Sequence, residues 1–81
     1  MKEEIFQKIK ELIAMNNKEL PIDQIKMESS FEELNMDSLD GITIISDLEK
    51  NYDIILSNEE VAHIKTVGQA VEALELHLSQ K

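Results

Sequence analysis

Apolar residues recur at helical spacing in three stretches of the chain. In the first, Ile5, Ile9, Leu12 and Ile13, with Phe6 beside them, leave Lys and Glu on the opposite face. This predicts a helix over about residues 2–15, stopped at Asn16-Asn17, with Pro21 opposing any continuation. In the second, Leu39, Ile42, Ile45, Leu48 and Tyr52 step by three or four, with Ile44 beside them, predicting a helix over about 38–52. The β-branched run Ile42 to Ile45 could suggest a strand, but no alternation flanks it. In the third, Val67, Ala70, Val71, Leu74 and Leu78 predict a helix over about 66–79, capped by Thr66. Ser57 followed by Glu60 is a capping box that opens a short helix over about 58–64.

Between the first two helices, Asn16 to Asp37 shows no sustained period. A loop of that length inside a small domain must be packed to be stable, and Leu20, Ile22, Ile25, Met27, Phe31 and Leu34 are spaced to do so. Phe31 to Leu34 suits a short helical turn, and Asn35 tolerates a left-handed backbone. The expected fold is an all-α four-helix bundle: three main helices, a short third one, and a long loop between helices one and two. Residues 1–81 are expected to form a single domain.

Charge adds a second pattern. The net charge of −9 is confined to the middle of the chain. Five acids balance five lysines before Glu28, and Glu72 and Glu75 balance Lys65 and Lys81 after Glu60. From Glu28 to Glu60 ten acids face Lys50 alone. Such a segment repels nucleic acid and anionic membranes and attracts a basic protein surface. The bland reading of the same acidity is solubility. No apolar run reads as a signal peptide or spans a bilayer, so the expected compartment is the cytoplasm. With no Cys, the chain has no disulfide, no zinc thiolate site and no thiol of its own.

The candidate chemistry lies at Asp37-Ser38-Leu39-Asp40, where the loop meets helix two. If Asp37 serves as N-cap, the Ser38 hydroxyl is left free at a helix N-terminus, a favourable place for a phosphate ester. Ser38 as a simple capping residue is the competing reading of these four residues alone. The longer stretch Ser30-Phe31-Glu32-Glu33-Leu34-Asn35-Met36-Asp37-Ser38-Leu39-Asp40 resembles the modification site of acyl carrier proteins. The likeness continues through Leu48-Glu49-Lys50-Asn51-Tyr52-Asp53-Ile54 and Thr66-Val67-Gly68-Gln69-Ala70-Val71, and covers residues 30–78.

The resemblance implies a 4′-phosphopantetheine arm, from coenzyme A, on Ser38. The arm would supply the missing thiol and carry acyl groups as thioesters. A separate phosphopantetheinyl transferase would attach it, and the chain itself would be a non-catalytic carrier, monomeric in solution. Asp37, Leu39, Asp40, Ile42, Asp47 and Glu49 would dock acyl-transferring and acyl-modifying enzymes that bear basic patches. For Ile42 core burial is the competing reading, whereas Ile44, Leu48 and Tyr52 read as core. The resemblance further implies that a short acyl chain can shelter between the helices.

Carriers of fatty acid synthesis usually have Gly where this chain has Asn35, and Glu, Met and Glu where it has Thr43, Ser46 and Lys50. Gly41 in the first turn of helix two is a further departure and weakens the helix by up to about 1 kcal/mol relative to Ala. The departures leave open a carrier of fatty acid or related lipid synthesis, a dedicated polyketide or aminoacyl/peptidyl carrier, and an unmodified interaction module. Two other chemistries fail. An EF-hand frame on Gly41 puts Met36 at the first ligand position and Thr43 and Asp47 at the eighth and twelfth. A serine hydrolase would need a base and an oxyanion hole, yet Gly-x-Ser-x-Gly is absent, His63 and His77 read as surface residues, and the acids around Ser38 oppose a developing oxyanion.

Overall fold

The fold was derived from a computed structural model, which describes residues 2–16, 21–34 and 36–80, with Ser38 described by its backbone alone. The described residues form four α-helices: α1 (Lys2–Asn16), α2 (Ser38–Tyr52), α3 (Asn58–His63) and α4 (Val67–Ser79). All four lie within a residue of their predicted bounds. A single 3₁₀ turn, Ile22–Gln24, was not anticipated in the loop, and α1 packs mainly on α4 and α2.

The periodic positions of α1 and α4 become the core. Ile5, Ile9, Leu12 and Ile13 meet Val67, Ala70, Val71 and Leu74, all buried. Phe6 and Leu78 pack at the margin of this cluster. Asn16, the last described residue of α1, donates its side-chain amide to the Leu12 carbonyl at 2.9 Å. Asn17 and Leu20 lie outside the described residues, as does Asn35.

In α2 the predicted stripe divides. Ile44, Ile45 and Leu48 are buried and Tyr52 is half-buried, but Leu39 and Ile42 are 73% and 52% exposed. Successive steps of three drift by about 60° around a helix of 3.6 residues per turn. Leu39-Ile42-Ile45-Leu48 thus winds halfway round the helix rather than forming a seam. The helix ends on Asp53, in the left-handed region at φ 56°, and the Ile54 amide returns to the Glu49 carbonyl at 3.1 Å. Ile54 and Leu56 then point into the core while Ile55 is 83% exposed, the alternation of an extended segment.

Helix α3 is held mainly at its ends and contains no fully buried residue. Ser57 Oγ accepts from the Glu60 amide at 3.1 Å, and Glu60 Oε1 accepts from the Ser57 amide at 3.0 Å. Glu60 Oε2 also meets His77 Nε2 at 2.6 Å, tying α3 to α4. His63 is exposed as expected, whereas His77 is half-buried in this pair, a correction that follows from the distant Glu60.

The loop before α2 is packed, as its scattered apolar residues imply. Ile25 and Leu34 are buried, Met27 and Phe31 half-buried, and Ile22 largely exposed. Backbone pairing fixes the loop to the start of α4. The Val67 amide donates to Ser29 O at 2.9 Å, the Gly68 amide to Met27 O at 2.7 Å, and the Phe31 amide to Lys65 O at 3.1 Å. Two of the first-turn amides that a helix leaves without internal partners are thereby satisfied. Thr66 and Gln69 close a capping box on the same turn. The approach requires glycine, because a Cβ on Gly68 would lie 2.9 Å from the Met27 carbonyl oxygen.

Gly68→Ala is expected to destabilise the fold by about 1–3 kcal/mol, the usual cost of forcing a group into filled space. Denaturant unfolding would show a lower midpoint at unchanged slope. A second prediction concerns pH. The Ser57 amide first, and then His77, hold the Glu60 carboxyl below its ordinary pKa. The unfolded chain therefore takes up this proton at higher pH than the folded one, and the contribution of Glu60 is present above the ordinary Glu range and lost on acidification through the folded pKa. Between about pH 6 and about pH 3, the parent is expected to lose more thermal stability than Glu60→Gln, compared by parallel melts.

Candidate functional site

The turn formed by residues 31–34 delivers the chain to α2. The Leu34 amide donates to Ser30 O and Phe31 O, each at 3.2 Å, and the Met36 amide to Phe31 O at 3.0 Å. Leu34 and Met36 are buried, which anchors the segment on both sides of position 35. Ser30 Oγ accepts from the Glu33 amide at 3.0 Å, bracing the same turn.

Asp37 then caps α2. Its Oδ1 accepts from the Asp40 amide at 3.0 Å, and Asp40 Oδ2 accepts from the Asp37 amide at 3.4 Å. This reciprocal pair satisfies local donors and places two carboxylates at the helix N-terminus, where the positive end of the dipole favours them. Ser38 is the first residue of the helix, so the cap is Asp37 and not the serine.

The candidate docking residues occupy two flanks of α2 and the crest between them. Asp40 and Asp47, seven residues apart, share one flank and are half-buried. Ile42 and Glu49, also seven apart, share the other. Leu39, Thr43, Ser46 and Lys50 form the crest. Asp37 stands exposed at the end. Glu49 has a further tie, its Oε2 accepting from the Leu56 amide at 2.8 Å and joining the extended link back to α2. The sequence pattern gave no sign of this bond, because it joins residues seven apart across a helix end.

A cleft of about 530 Å³ opens between α2, α3 and the loop, within the usual size of small-molecule sites. Met36 and Ile45 form buried parts of its wall; Phe31, Val61 and Ile64 are half-buried there. Ile42, Ala62 and Lys65 stand at the exposed edge, and Gly41 borders the opening from α2. In helical register Ser38, Gly41, Ile42 and Ile45 are i, i+3, i+4 and i+7, so the serine begins the same side of α2 that lines the cleft. The resemblance implies a space between the helices, but no local pattern shows which residues line it, because its walls come from three separate segments.

Among the described residues no group of His, Asp and Glu is placed to hold a metal ion, and no helix is long and apolar enough to cross a membrane. Neither histidine lines the cleft that borders the helix start.

A family profile described as "Phosphopantetheine attachment site" matches residues 7–74. The acyl carrier protein of Clostridium acetobutylicum is 39% identical over 79 residues, spanning 94% of this chain and 99% of its own. That of Lactobacillus acidophilus is 41% identical over 76 residues, spanning 93% and 94%. In three dimensions the chain is similar to the acyl carrier protein of Enterococcus faecalis, with a TM-score of 0.77 at 28% identity over 95% of this chain and 98% of that one. Acyl carrier proteins are non-catalytic, and the phosphopantetheine attachment domain carries its arm covalently. With the helical order, the capped start of α2 and these likenesses together, the chain belongs to the acyl carrier protein family.

Proposed function

We propose that residues 1–81 act as one monomeric carrier domain in the cytoplasm, holding acyl intermediates as thioesters on a 4′-phosphopantetheine arm at Ser38 and handing them to enzymes of fatty acid or related lipid synthesis. The observation that carries the reading is the division of labour at the helix start. Asp37 and Asp40 cap each other, so Ser38 is not required as the cap. The residues fit the arm: a serine at the N-terminus of a helix supplies the ester oxygen, and an apolar cleft begins on the same side of that helix. When bound, the arm supplies the thiol that a chain without Cys lacks.

Asp37, Leu39, Asp40, Ile42, Asp47 and Glu49 form the docking face in this reading. Exposed Leu39 and Ile42 offer apolar contact, and the flanking carboxylates steer basic partner surfaces toward Ser38. A phosphopantetheinyl transferase is the first such partner, followed by acyl-transferring and acyl-modifying enzymes. Thr43, Ser46 and Lys50 on the crest make it less acidic than the usual fatty acid carrier, which favours a dedicated polyketide or aminoacyl carrier as the second reading.

Co-expression with a phosphopantetheinyl transferase is expected to add the mass of one arm to the parent chain and none to Ser38→Ala. An unchanged parent mass, with a control carrier modified by the same enzyme, overturns the attachment. Asp40→Lys combined with Asp47→Lys is expected to slow modification and acyl loading roughly tenfold or more at low salt, with the difference shrinking as salt rises. Melting curves check that the double variant remains folded, because Asp40 also belongs to the cap.

A further inference from the structure

The two glycines of the chain stand in opposite circumstances. Gly68 is explained by folding, since Met27 O leaves no room for a Cβ. Gly41 is not. Its backbone has no positive φ, and its amide donates to Asp37 O at 3.1 Å as a helical residue should. A Cβ built there meets nothing within 4 Å. Alanine would therefore fit without strain and favour the helix, so glycine here gives up stability for no local return.

Gly41 is among the residues that line the cleft, so what the missing side chain leaves is space along its α2 wall. Gly41 lines it from α2, one turn after Ser38, and Ala62, with only a methyl group, lines it from α3. Behind them the wall is apolar, with Met36, Ile45, Val61 and Ile64. An aliphatic chain tethered at Ser38 would meet this opening at the high effective concentration that a short tether gives.

We propose that Gly41 is a specificity-determining residue, which with Ala62 keeps the cleft open widely enough for an aliphatic acyl chain carried on Ser38 to enter between α2 and α3. The inference rests on the carrier reading above and adds to it the residue that decides which chains enter. A side chain at position 41 narrows the opening in proportion to its size, so the cargo shifts from the cleft to solvent or to the partner enzyme.

The test loads the parent, Gly41→Ala, Gly41→Leu and Ala62→Leu from octanoyl-coenzyme A with a phosphopantetheinyl transferase. Each is compared by thermal melting with the same chain bearing the unacylated arm, and intact mass verifies loading. A tenfold preference of the octanoyl chain for the cleft corresponds to about 1.4 kcal/mol, which for a domain of this size is a rise of several degrees in Tm. The parent is expected to show that rise, Gly41→Ala a smaller one, and Gly41→Leu and Ala62→Leu none. With the unacylated arm, Gly41→Ala is expected to melt at or above the parent.

A full octanoyl-dependent rise in Gly41→Leu overturns the proposal, as does its absence from the parent. A Gly41→Ala chain that melts below the parent with the unacylated arm also overturns it, because the glycine would then have a structural reason. Should Gly41→Leu fail to fold, Gly41→Ala and Ala62→Leu decide, and full rises in both overturn it. Failure of the attachment itself has a different signature, a parent mass that never increases, and removes the carrier reading together with this one.

Discussion

The backbone pairing of residues 27–31 with 65–68 is the constraint on which the site depends. Three hydrogen bonds, from Val67, Gly68 and Phe31, turn an aperiodic loop into a fixed support. They satisfy the first turn of α4 and at the same time set where the turn at 31–34 begins. From there Leu34 and Met36 are buried, Asp37 is placed as a cap, and α2 starts at Ser38. The close contact of the Gly68 amide with Met27 O, at 2.7 Å, leaves no room for a side chain at position 68. Local hydrogen bonding and long-range packing therefore converge on one short segment.

The distribution of stability follows the same logic. Helices α1 and α4 share a tightly buried core of Ile5, Ile9, Ile13, Val67, Val71 and Leu74. Helix α3 has no buried residue and relies on its capping box, the Glu60–His77 pair and the partial burial of Val61 and Ile64. Elements with few buried contacts open at lower free energy than the core. The cleft lies between a well-anchored wall, α2, and this thinly anchored one, apart from the α1–α4 core.

Charge and apolar exposure divide α2 between a face that folds the domain and the face proposed for docking. Asp37 and Asp40 complete the cap, and in the proposed docking face the same carboxylates make the helix start negative. Glu49 has a structural part as well, holding the Leu56 amide through one oxygen. Leu39 and Ile42 contribute little to the core and remain available at the surface. Lys50 interrupts the acidity at the far end of the crest, where carriers of fatty acid synthesis usually have Glu.

By itself the sequence determined the four helices, their caps and the place of Ser38, because these rest on contacts three or four residues apart. Asp37–Asp40, Ser57–Glu60 and Thr66–Gln69 are all of that kind. The periodic faces of α1 and α4 were equally legible, since one clean stripe has only one way to be buried. Tertiary structure decided the rest. The three-residue steps of α2 suit more than one orientation, and only its packing within the bundle left Leu39 and Ile42 outward. The meeting of Glu60 with His77, the register of the loop on α4 and the open space beside Gly41 join segments far apart in the chain. No local pattern encodes such distances, because they depend on how whole helices come to rest against one another.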